Sequence, residues 1–315
     1  MKGNPGKTIR TGIGNKAAVP VIDYRLCSAC GLCVRACKSF TIVEQDGKPI
    51  VLPDNGLGCV GCAQCACACP EGAVSVTGRG ISAEDLFLLP SKDTRALPEA
   101  LESLLVSRRS VREYADREME RATVDRILSL SSSAPMGLPP SDVGLTVVRG
   151  RDCVKELAGD VVGVFAKWRT FFNPLVMAVA RPFMKRASYE GFRDFVIPAI
   201  RIIIDARKQG LDYLFYDAPC LLLFHQSPYA DPADGHVACT YAMVAAASLG
   251  LGTCMIGTVS FALQREKGLK RKWGIPVENT VSLAMIMGYP AFAYSKGIKR
   301  SFAATRYVER TTPGA

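Results

Sequence analysis

Two runs of cysteine constrain this chain more than any other feature of its sequence. Nine of the thirteen cysteines lie between Cys27 and Cys69, and eight of these follow the spacing C-x-x-C-x-x-C-x-x-x-C twice. The first run consists of Cys27, Cys30, Cys33 and Cys37, and the second of Cys59, Cys62, Cys65 and Cys69. The apolar segments around the runs are too short to build a conventional core. A metal or disulfides must therefore hold this region together.

Metal ligation fits these cysteines better than disulfide bonding. The segment Met1 to Lys16 is basic and glycine-rich and lacks the apolar run of a secretion signal, so we expect a cytoplasmic protein. Thiols stay reduced in that compartment, where clustered cysteines are typically metal ligands. Structural zinc usually takes two separated C-x-x-C pairs, whereas triplets followed by a fourth cysteine are typical of iron–sulfur clusters. The spacing favours iron–sulfur over zinc.

Over residues 21–80 the doubled run resembles the bacterial ferredoxins that carry two [4Fe-4S] clusters. In that pattern three cysteines of each run bind one cluster and the fourth binds the other. The resemblance implies one cluster held by Cys27, Cys30, Cys33 and Cys69, and a second held by Cys59, Cys62, Cys65 and Cys37. Lys38 departs from the pattern, because a proline usually follows the fourth cysteine, as Pro70 does in the second run.

The remaining five cysteines are expected to be small buried residues. They are Cys67, Cys153, Cys220, Cys239 and Cys254. Free cysteine commonly packs in this way. For Cys67, which lies inside the second run, ligation of a cluster is the alternative.

Length and composition indicate two domains. The chain has 315 residues, of which 49% are hydrophobic and 22% are charged, and this balance excludes wholesale disorder. The predicted organisation is a flexible N-terminus at 1–20, a two-cluster domain at 21–80, a connector at 81–97 and a larger domain at 98–315 with a helical insertion at about 153–217.

The larger domain is predicted to contain both helices and strands. Apolar runs predict strands at Val143–Val148, Leu221–Phe224 and Val281–Met287, and helical periodicity predicts a helix over His236–Leu249. This alternation indicates a layered α+β or α/β domain. The uncharged stretch Val237–Gln264 is long enough to cross a bilayer, but its Ser, Gly and Thr residues predict a buried segment instead. We expect no membrane span.

The net charge of +10 suggests an anionic partner, such as nucleic acid, an acidic protein or cofactor phosphates. Lys and Arg are dispersed along the chain rather than gathered in one patch interleaved with aromatic residues. Dispersed charge attracts anions at long range but does not form a basic surface that could contact a nucleic-acid groove. We therefore expect no nucleic-acid binding.

One local cluster of cations, at residues 108–112, is a candidate anion site. Arg108, Arg109 and Arg112 offer planar donor forks, and Ser110 adds a hydroxyl, which together suit a phosphate or a carbonyl-rich ring edge. A solvated basic helix end is the alternative. Glycine-containing segments at 134–140 and 250–257 would let the backbone approach a flat ligand. Neither the G-x-G-x-x-G dinucleotide motif after a strand nor the phosphate-binding P-loop motif occurs.

The order of four segments resembles the flavin-dependent nitroreductase family, from about Pro98 to Arg300. The segments are an R-R-S-x-R-x-[FY] start, an A-P loop, a G-L-G-T-C-x-I-G segment and a late G-Y-P followed by basic residues. The resemblance implies an FMN bound noncovalently at the interface of an intertwined homodimer, and an α+β fold around a central antiparallel sheet. The cofactor-binding residues that it implies are Arg108, Arg109, Ser110, Arg112, Pro135, Met136, Gly137, Met255, Ile256, Gly257, Lys296 and Arg300.

The resemblance also implies a role for each group in this set. The residues at 108–110 are expected at the FMN phosphate and ribityl chain, with Lys296 and Arg300 as late phosphate ligands and Lys299 as a possible substitute. Arg112 is expected at the N1/C2-carbonyl edge of the ring, and residues 255–257 are expected to present backbone N–H groups to N5. Residues 138–141 depart from the polar sequence that many members carry after the A-P loop. The resemblance therefore assigns no polar contact with the cofactor to these residues.

Together the two resemblances imply a ferredoxin–nitroreductase fusion that passes electrons from two [4Fe-4S] clusters to FMN. The expected acceptor is an electron-poor organic molecule, such as a nitro compound, quinone, enone or halogenated aromatic. The expected donor is external and of low potential, either ferredoxin-like or NAD(P)H-linked. The alternative is an electron-transfer or redox-sensing module that turns over no small molecule.

No catalytic side chain is assigned, because flavin chemistry takes place on the cofactor. His225 and His236 are expected to be structural, with proton donation as the alternative. Aromatic residues in the insertion either pack in the core or shape a lid over a substrate pocket. They are Trp168, Phe171, Phe172, Phe183, Tyr189, Phe192 and Phe195.

Overall fold

A computed structural model describes residues 18–79, 82–137, 142–169, 176–177, 179 and 181–309. The cysteine-rich segment folds into two small antiparallel sheets and two short helices. Its elements are β1 (Val19–Ile22), α1 (Leu32–Ala36), β2 (Ile42–Gln45), β3 (Lys48–Val51), α2 (Gln64–Cys67) and β4 (Val74–Thr77). Strand β1 pairs with β4, and β2 pairs with β3. The pairing of β1 with β4 joins the two ends of the segment.

Two predictions for this segment need correction. Val19 and Pro20 pair with β4, so the expected flexible stretch at 1–20 is wrong for these residues, and residues 1–17 lie outside the described part. Cys67 is exposed rather than buried. The small core is instead formed by apolar residues such as Ile42, Val74 and Val76, packed with the cysteine sulfurs.

The larger domain is built on a four-stranded sheet of order β5-β6-β8-β7, in which every neighbouring pair is antiparallel. Its strands are β5 (Val143–Arg149), β6 (Cys220–Gln226), β7 (Gly252–Ile256) and β8 (Thr280–Gly288). The expected antiparallel sheet is confirmed, and so are the three strands predicted from apolar runs. Strand β7 was not predicted, because its glycine-flanked sequence indicated a loop.

Helices cover both faces of this sheet. They are α3 (Pro98–Ser107), α4 (Arg121–Ser131), α5 (Arg151–Trp168), α6 (Arg186–Gly191), a π-helical turn at Phe192–Val196, α7 (Ile197–Lys208), α8 (Asp234–Ser248), α9 (Thr258–Arg265) and α10 (Lys267–Lys272). Alternate residues of a strand point to opposite faces. Leu221 and Leu223 of β6 accordingly join a core with α5, α7 and α9, whereas Leu222 and Phe224 join one with α4 and α8. Because β6 is covered on both faces, its sequence is one continuous apolar run.

The uncharged stretch Val237–Gln264 contributes to α8, β7 and α9, and much of it lies in the two cores, as predicted. Within the described ranges, no helix has the length and apolar character needed to cross a membrane. Cys220, Cys239 and Cys254 are buried, but Cys153 is exposed, which corrects the expectation for that residue. Cys153 lies near the start of α5, on the side of the helix that faces away from the core.

Candidate functional site

The segment after α3 is attached to β7, the edge strand of the sheet. The Val111 N–H donates a hydrogen bond of 2.9 Å to the Thr253 carbonyl, and Ser110 forms a parallel bridge with Thr253. Gly252 is needed for this approach, because a Cβ atom there would lie 2.7 Å from the Val111 side chain. These contacts place residues 108–112 beside β7. The sequence predicted that this part of the chain, 250–257, is a loop that approaches a ligand.

The chain that leaves β8 is held against the same segment. The Ala115 N–H donates to the Tyr289 carbonyl over 2.8 Å, and the Ala291 N–H donates to the Glu113 carbonyl over 3.1 Å. The Tyr114 hydroxyl donates to the Val111 carbonyl over 2.8 Å, which fixes the turn of the segment. These bonds direct the residues after 291 along the arginine cluster.

As a result, a cavity of about 660 Å³ forms between residues 105–109 and 294–300. Its lining brings together Arg108, Arg109, Lys296 and Arg300, four cations that sequence analysis assigned to one phosphate. The Arg109 guanidinium donates to the Lys296 carbonyl over 3.3 Å, which ties the two walls together. The Arg109 guanidinium passes close to Gly297, where a Cβ atom would lie 2.8 Å from its nitrogen. We call this cavity the cationic pocket.

The cationic pocket carries excess positive charge. Burial and the nearby charges of Arg300 and Arg109 lower the pKa of Arg108. None of the ion pairs formed between described residues involves Arg108, Arg109, Lys296 or Arg300. Clustered guanidinium groups repel each other, and an anion between them relieves that repulsion while accepting charge-assisted hydrogen bonds. The pocket is therefore suited to a phosphate group.

Ser110 and Arg112 are close to β7 but do not line the cationic pocket. Both side chains interact with the buried Cys254 thiol, whose pKa is raised by burial and lowered in part by the Arg112 charge. The Arg112 guanidinium also lies 5.8 Å from the centre of the Tyr216 ring. Strand β7 ends at Ile256, and Met255 and Ile256 are only partly buried while Gly257 is exposed. This end of the strand is accessible to a ligand.

The A-P loop is anchored by a residue that sequence analysis did not identify. The Gly137 N–H donates to Asp234 Oδ1 over 2.9 Å. Asp234 is 4% exposed, and its Oδ2 atom is buried without a hydrogen-bond partner among the described residues. Pro135 is exposed and Met136 is partly buried, whereas residues 138–141 lie outside the described part. Aspartate is common at helix starts for structural reasons, so the sequence around Asp234 did not indicate that it anchors the A-P loop.

A second cavity, of about 820 Å³, lies between the end of α5, the π-helical turn and α9. Its lining is mostly apolar and includes the aromatic residues Phe165, Trp168, Phe192 and Phe261. Thr258 also lines it and directly follows Gly257. Two insertion aromatics, Trp168 and Phe192, thus face a cavity. We call it the apolar cavity.

The other insertion aromatics do not share this position. Phe183 and Phe195 are exposed, with 86% and 70% of their surface accessible, and Tyr189 is partly buried. Phe171 and Phe172 lie outside the described residues. Core packing is thus the wrong description for Phe183 and Phe195.

The two histidines lie in different environments. His225 is buried, and its Nδ1 atom lies 2.9 Å from the Asn279 side-chain nitrogen. Burial lowers its pKa, and the charge of Lys270 acts in the same direction. His236 is exposed at the start of α8. The buried position of His225 agrees with its expected structural role, whereas the role of exposed His236 stays a prediction.

The two cysteine loops share one backbone geometry. Left-handed residues flank the second cysteine of each run: Ala29 and Gly31 at φ 56° and 70°, and Gly61 and Ala63 at φ 73° and 54°. Alanine rarely adopts this conformation, and such strain persists only where surrounding structure imposes it. The sulfurs of the fourth cysteines both accept backbone N–H groups, Cys37 from Ile42 over 3.4 Å and Cys69 from Ala73 over 3.2 Å.

One thiol of the first run, that of Cys37, is grouped with thiols of the second run. The Cys37 thiol interacts electrostatically with Cys59 and Cys65 of the second run, whereas Cys33 interacts with its sequence neighbours Cys27 and Cys30. Burial raises the pKa of Cys33 and Cys59, and raises that of Cys65 to about 12. Among the residues that the structure describes, no three Cys, His, Asp or Glu side chains are arranged to hold a single metal ion.

Comparison with known proteins finds one family. The nitroreductase family matches residues 105–289, which include the sheet and one wall of the cationic pocket. No curated protein matches the chain.

Several solved structures also match. A nitroreductase with bound FMN from Bacteroides fragilis is 21% identical, covers 66% of this chain and 98% of its own, and has a TM-score of 0.49. A nitroreductase with bound FMN from Desulfitobacterium hafniense is 18% identical, with coverages of 66% and 98% and a TM-score of 0.48. An FMN-dependent nitroreductase from Mycobacterium smegmatis in complex with NADPH is 17% identical, with coverages of 67% and 99% and a TM-score of 0.46.

Proposed function

The chain belongs to the nitroreductase family and is an oxidoreductase, and we propose that it passes electrons from two [4Fe-4S] clusters to FMN for the reduction of an electron-poor organic substrate. The substrate class is a nitro compound, quinone, enone or halogenated aromatic. The observation that carries the flavin part of the proposal is the cationic pocket, which joins two segments nearly two hundred residues apart in sequence.

FMN fits the groups around this pocket. Arg108, Arg109, Lys296 and Arg300 would bind its single phosphate, and Ser110 would bind the adjoining ribityl chain. The accessible end of β7 would offer the backbone N–H groups of residues 255–257 to the ring, with Pro135, Met136 and Gly137 approaching from the A-P loop. When bound, FMN supplies the electron-transfer chemistry at its ring. The chain has no dinucleotide motif for the adenylate half of FAD.

We propose that Arg112 acts on the charge of a reduced ring. Its guanidinium is held between the Cys254 thiol and the Tyr216 ring, beside the end of β7. A fixed cation at this place stabilises negative charge without needing to reorganise, which favours electron acceptance by the flavin. The contribution of the protein is therefore binding, orientation and electrostatics, and no acid–base side chain is required.

The cysteine loops fit two cubic clusters. The repeated left-handed backbone, the N–H groups donated to Cys37 and Cys69, and the grouping of Cys37 with the second run support the crossed ligation of the two-cluster pattern. The proposed ligands are Cys27, Cys30, Cys33 and Cys69 for one cluster and Cys59, Cys62, Cys65 and Cys37 for the other. When bound, such clusters transfer single electrons. We propose that an external low-potential donor, ferredoxin-like or NAD(P)H-linked, supplies them.

The apolar cavity is proposed as the substrate site. Its volume is within the range of sites for small organic molecules, about 300–1,000 Å³, and its aromatic lining suits a flat acceptor. It begins at Thr258, next to the residues proposed to face the flavin ring. Trp168 and Phe192 would then define the side of the site that is formed by the helical insertion.

Exposed apolar side chains support a homodimer. Helix α3 has no buried residue, and Leu101 and Leu105 expose 46% and 50% of their surface. In the tail after β8, Phe302 and Tyr307 expose 87% and 84%. Large apolar side chains exposed along a helix and a tail are candidates for an interaction surface. We propose that a second copy of the chain covers them.

Reoxidation of the reduced flavin tests substrate turnover. We expect a member of an anaerobic panel of nitro compounds, quinones, enones and halogenated aromatics to accelerate the return of the oxidised flavin absorbance at least tenfold. Replacing Phe261 with Arg should block the apolar cavity and slow that reaction, whereas the matched change of Phe87 to Arg, at an exposed position of the 81–97 segment, should leave its rate unchanged. If no compound accelerates reoxidation, the chain serves electron transfer or redox sensing instead.

A further inference from the structure

Arg79 has an unusual backbone conformation for a large side chain. It follows β4 in the left-handed region at φ 54°, directly after Gly78 at φ 93°. The residue is nevertheless only 8% exposed. A non-glycine residue keeps such a conformation where the surrounding contacts hold it there, and such positions cluster at functional sites.

The side chain of Arg79 lies on the second cysteine loop. Its Nη1 atom donates a hydrogen bond of 2.6 Å to the Val60 carbonyl, between Cys59 and Cys62. The side chain also packs closely on Gly61, where a Cβ atom would lie 3.5 Å from Arg79 Cδ. The left-handed turn thus brings a buried, permanently charged group to the backbone of the loop.

The charge of Arg79 acts on the ligands of this loop. The Val60 carbonyl that accepts the hydrogen bond from Arg79 belongs to the residue directly after Cys59, so the guanidinium lies beside the proposed ligands of the second run. A cation in a low-dielectric region stabilises nearby negative charge more strongly than one in water. Arg79 is thus coupled electrostatically to the second run.

Arg25, which is close in sequence to the first run, is in a different environment. Its side chain is 89% exposed and forms an ion pair of 2.8 Å with Asp23. Solvent screening and the carboxylate both weaken its field at a distance. Arg25 therefore does not reproduce the buried charge that Arg79 supplies.

We propose that Arg79 raises the reduction potential of the cluster bound by Cys59, Cys62, Cys65 and Cys37, so that this cluster has the higher midpoint and accepts the first electron. The inference rests on the proposed clusters. Reduction adds one negative charge to a cluster, and a buried cation beside the loop favours the form with that added charge, while the hydrogen bond to the Val60 carbonyl holds the cation in place.

An anaerobic redox titration followed by electron paramagnetic resonance tests this proposal on the full-length protein. In R79Q we expect the higher of the two midpoints to shift to a more negative potential, while the lower midpoint stays in place and the gap between them narrows. R79K keeps the charge, so its midpoints should remain close to those of the unchanged protein. R25Q is the matched control and should shift neither midpoint.

Iron and acid-labile sulfide are measured in each sample. These amounts distinguish a failure of the proposed clusters from a failure of the role proposed for Arg79. If both clusters are present and R79Q shifts neither midpoint, or shifts both equally, the role of Arg79 is overturned while the proposed function stands. If the unchanged protein holds no cluster, the proposed function fails and the role of Arg79 fails with it.

Discussion

Replacing Cys62 with serine should abolish reduction of the flavin by a low-potential one-electron donor while leaving FMN bound. Cys62 is the middle cysteine of the second triplet, and its thiol interacts electrostatically with those of Cys59 and Cys65. Serine offers a poorer ligand than a thiolate for an iron–sulfur cluster, so one relay centre should be lost. The proposed FMN ligands lie in the other domain and are unchanged.

The experiment is rapid-mixing absorbance of the flavin under anaerobic conditions. We expect the rate with the one-electron donor to fall at least a hundredfold, whereas any hydride donor that the protein accepts should still reduce the flavin, because it acts on the ring directly. Cys67→Ser is the matched control, since Cys67 belongs to the same segment but is exposed and is not a proposed ligand. An unchanged rate in Cys62→Ser would mean that the clusters are structural or pass electrons to an acceptor other than the flavin.

Removing two cations from opposite walls of the cationic pocket should release FMN. Arg108→Ala and Lys296→Ala together delete two proposed phosphate contacts. Each charge-assisted hydrogen bond contributes roughly 1.5–3 kcal/mol, so we expect FMN binding to weaken by about 3 kcal/mol, or on the order of a hundredfold. Flavin absorbance after purification and a fluorescence titration with added FMN both measure the loss.

The double change Arg126→Ala and Lys267→Ala removes the same charge from two exposed helix positions and serves as its control. This control should retain FMN, and both double variants should keep the iron content of the unchanged protein. If Arg108→Ala with Lys296→Ala retains its flavin as well as the control does, the assignment of the phosphate site to this pocket is wrong.

Sequence patterns predicted the parts of the fold that depend on local periodicity. The apolar runs at β6 and β8 each marked one strand, because a strand buried on both faces needs apolar residues at nearly every position. Strand β5 lies at the edge of the sheet with only Val148 buried, and its apolar run was sufficient to predict it. Strand β7 was not predicted because the glycines that flank it indicated a loop. Gly252 is present for a tertiary reason, the close approach of Val111, and such a contact between distant segments leaves no local pattern.

Of the candidate site, the sequence predicted the residues that belong to motifs but not those whose role depends on contacts between distant segments. Arg108, Arg109, Lys296 and Arg300 were identified from motifs, and the structure brings them into one pocket. Asp234 and Arg79 were not identified, because their roles depend on a hydrogen bond to Gly137 and on a left-handed turn after Gly78. The exposure of Cys67 likewise follows from its position on α2, which spacing alone could not provide.

Counting the cofactors of the protein purified without oxygen shows whether one chain holds both clusters and FMN. We expect about eight iron and about eight acid-labile sulfide per chain, as two cubic clusters require, together with about one FMN released on denaturation. Stoichiometric zinc in place of iron, a single cluster, or a chain that binds no FMN would contradict this expectation.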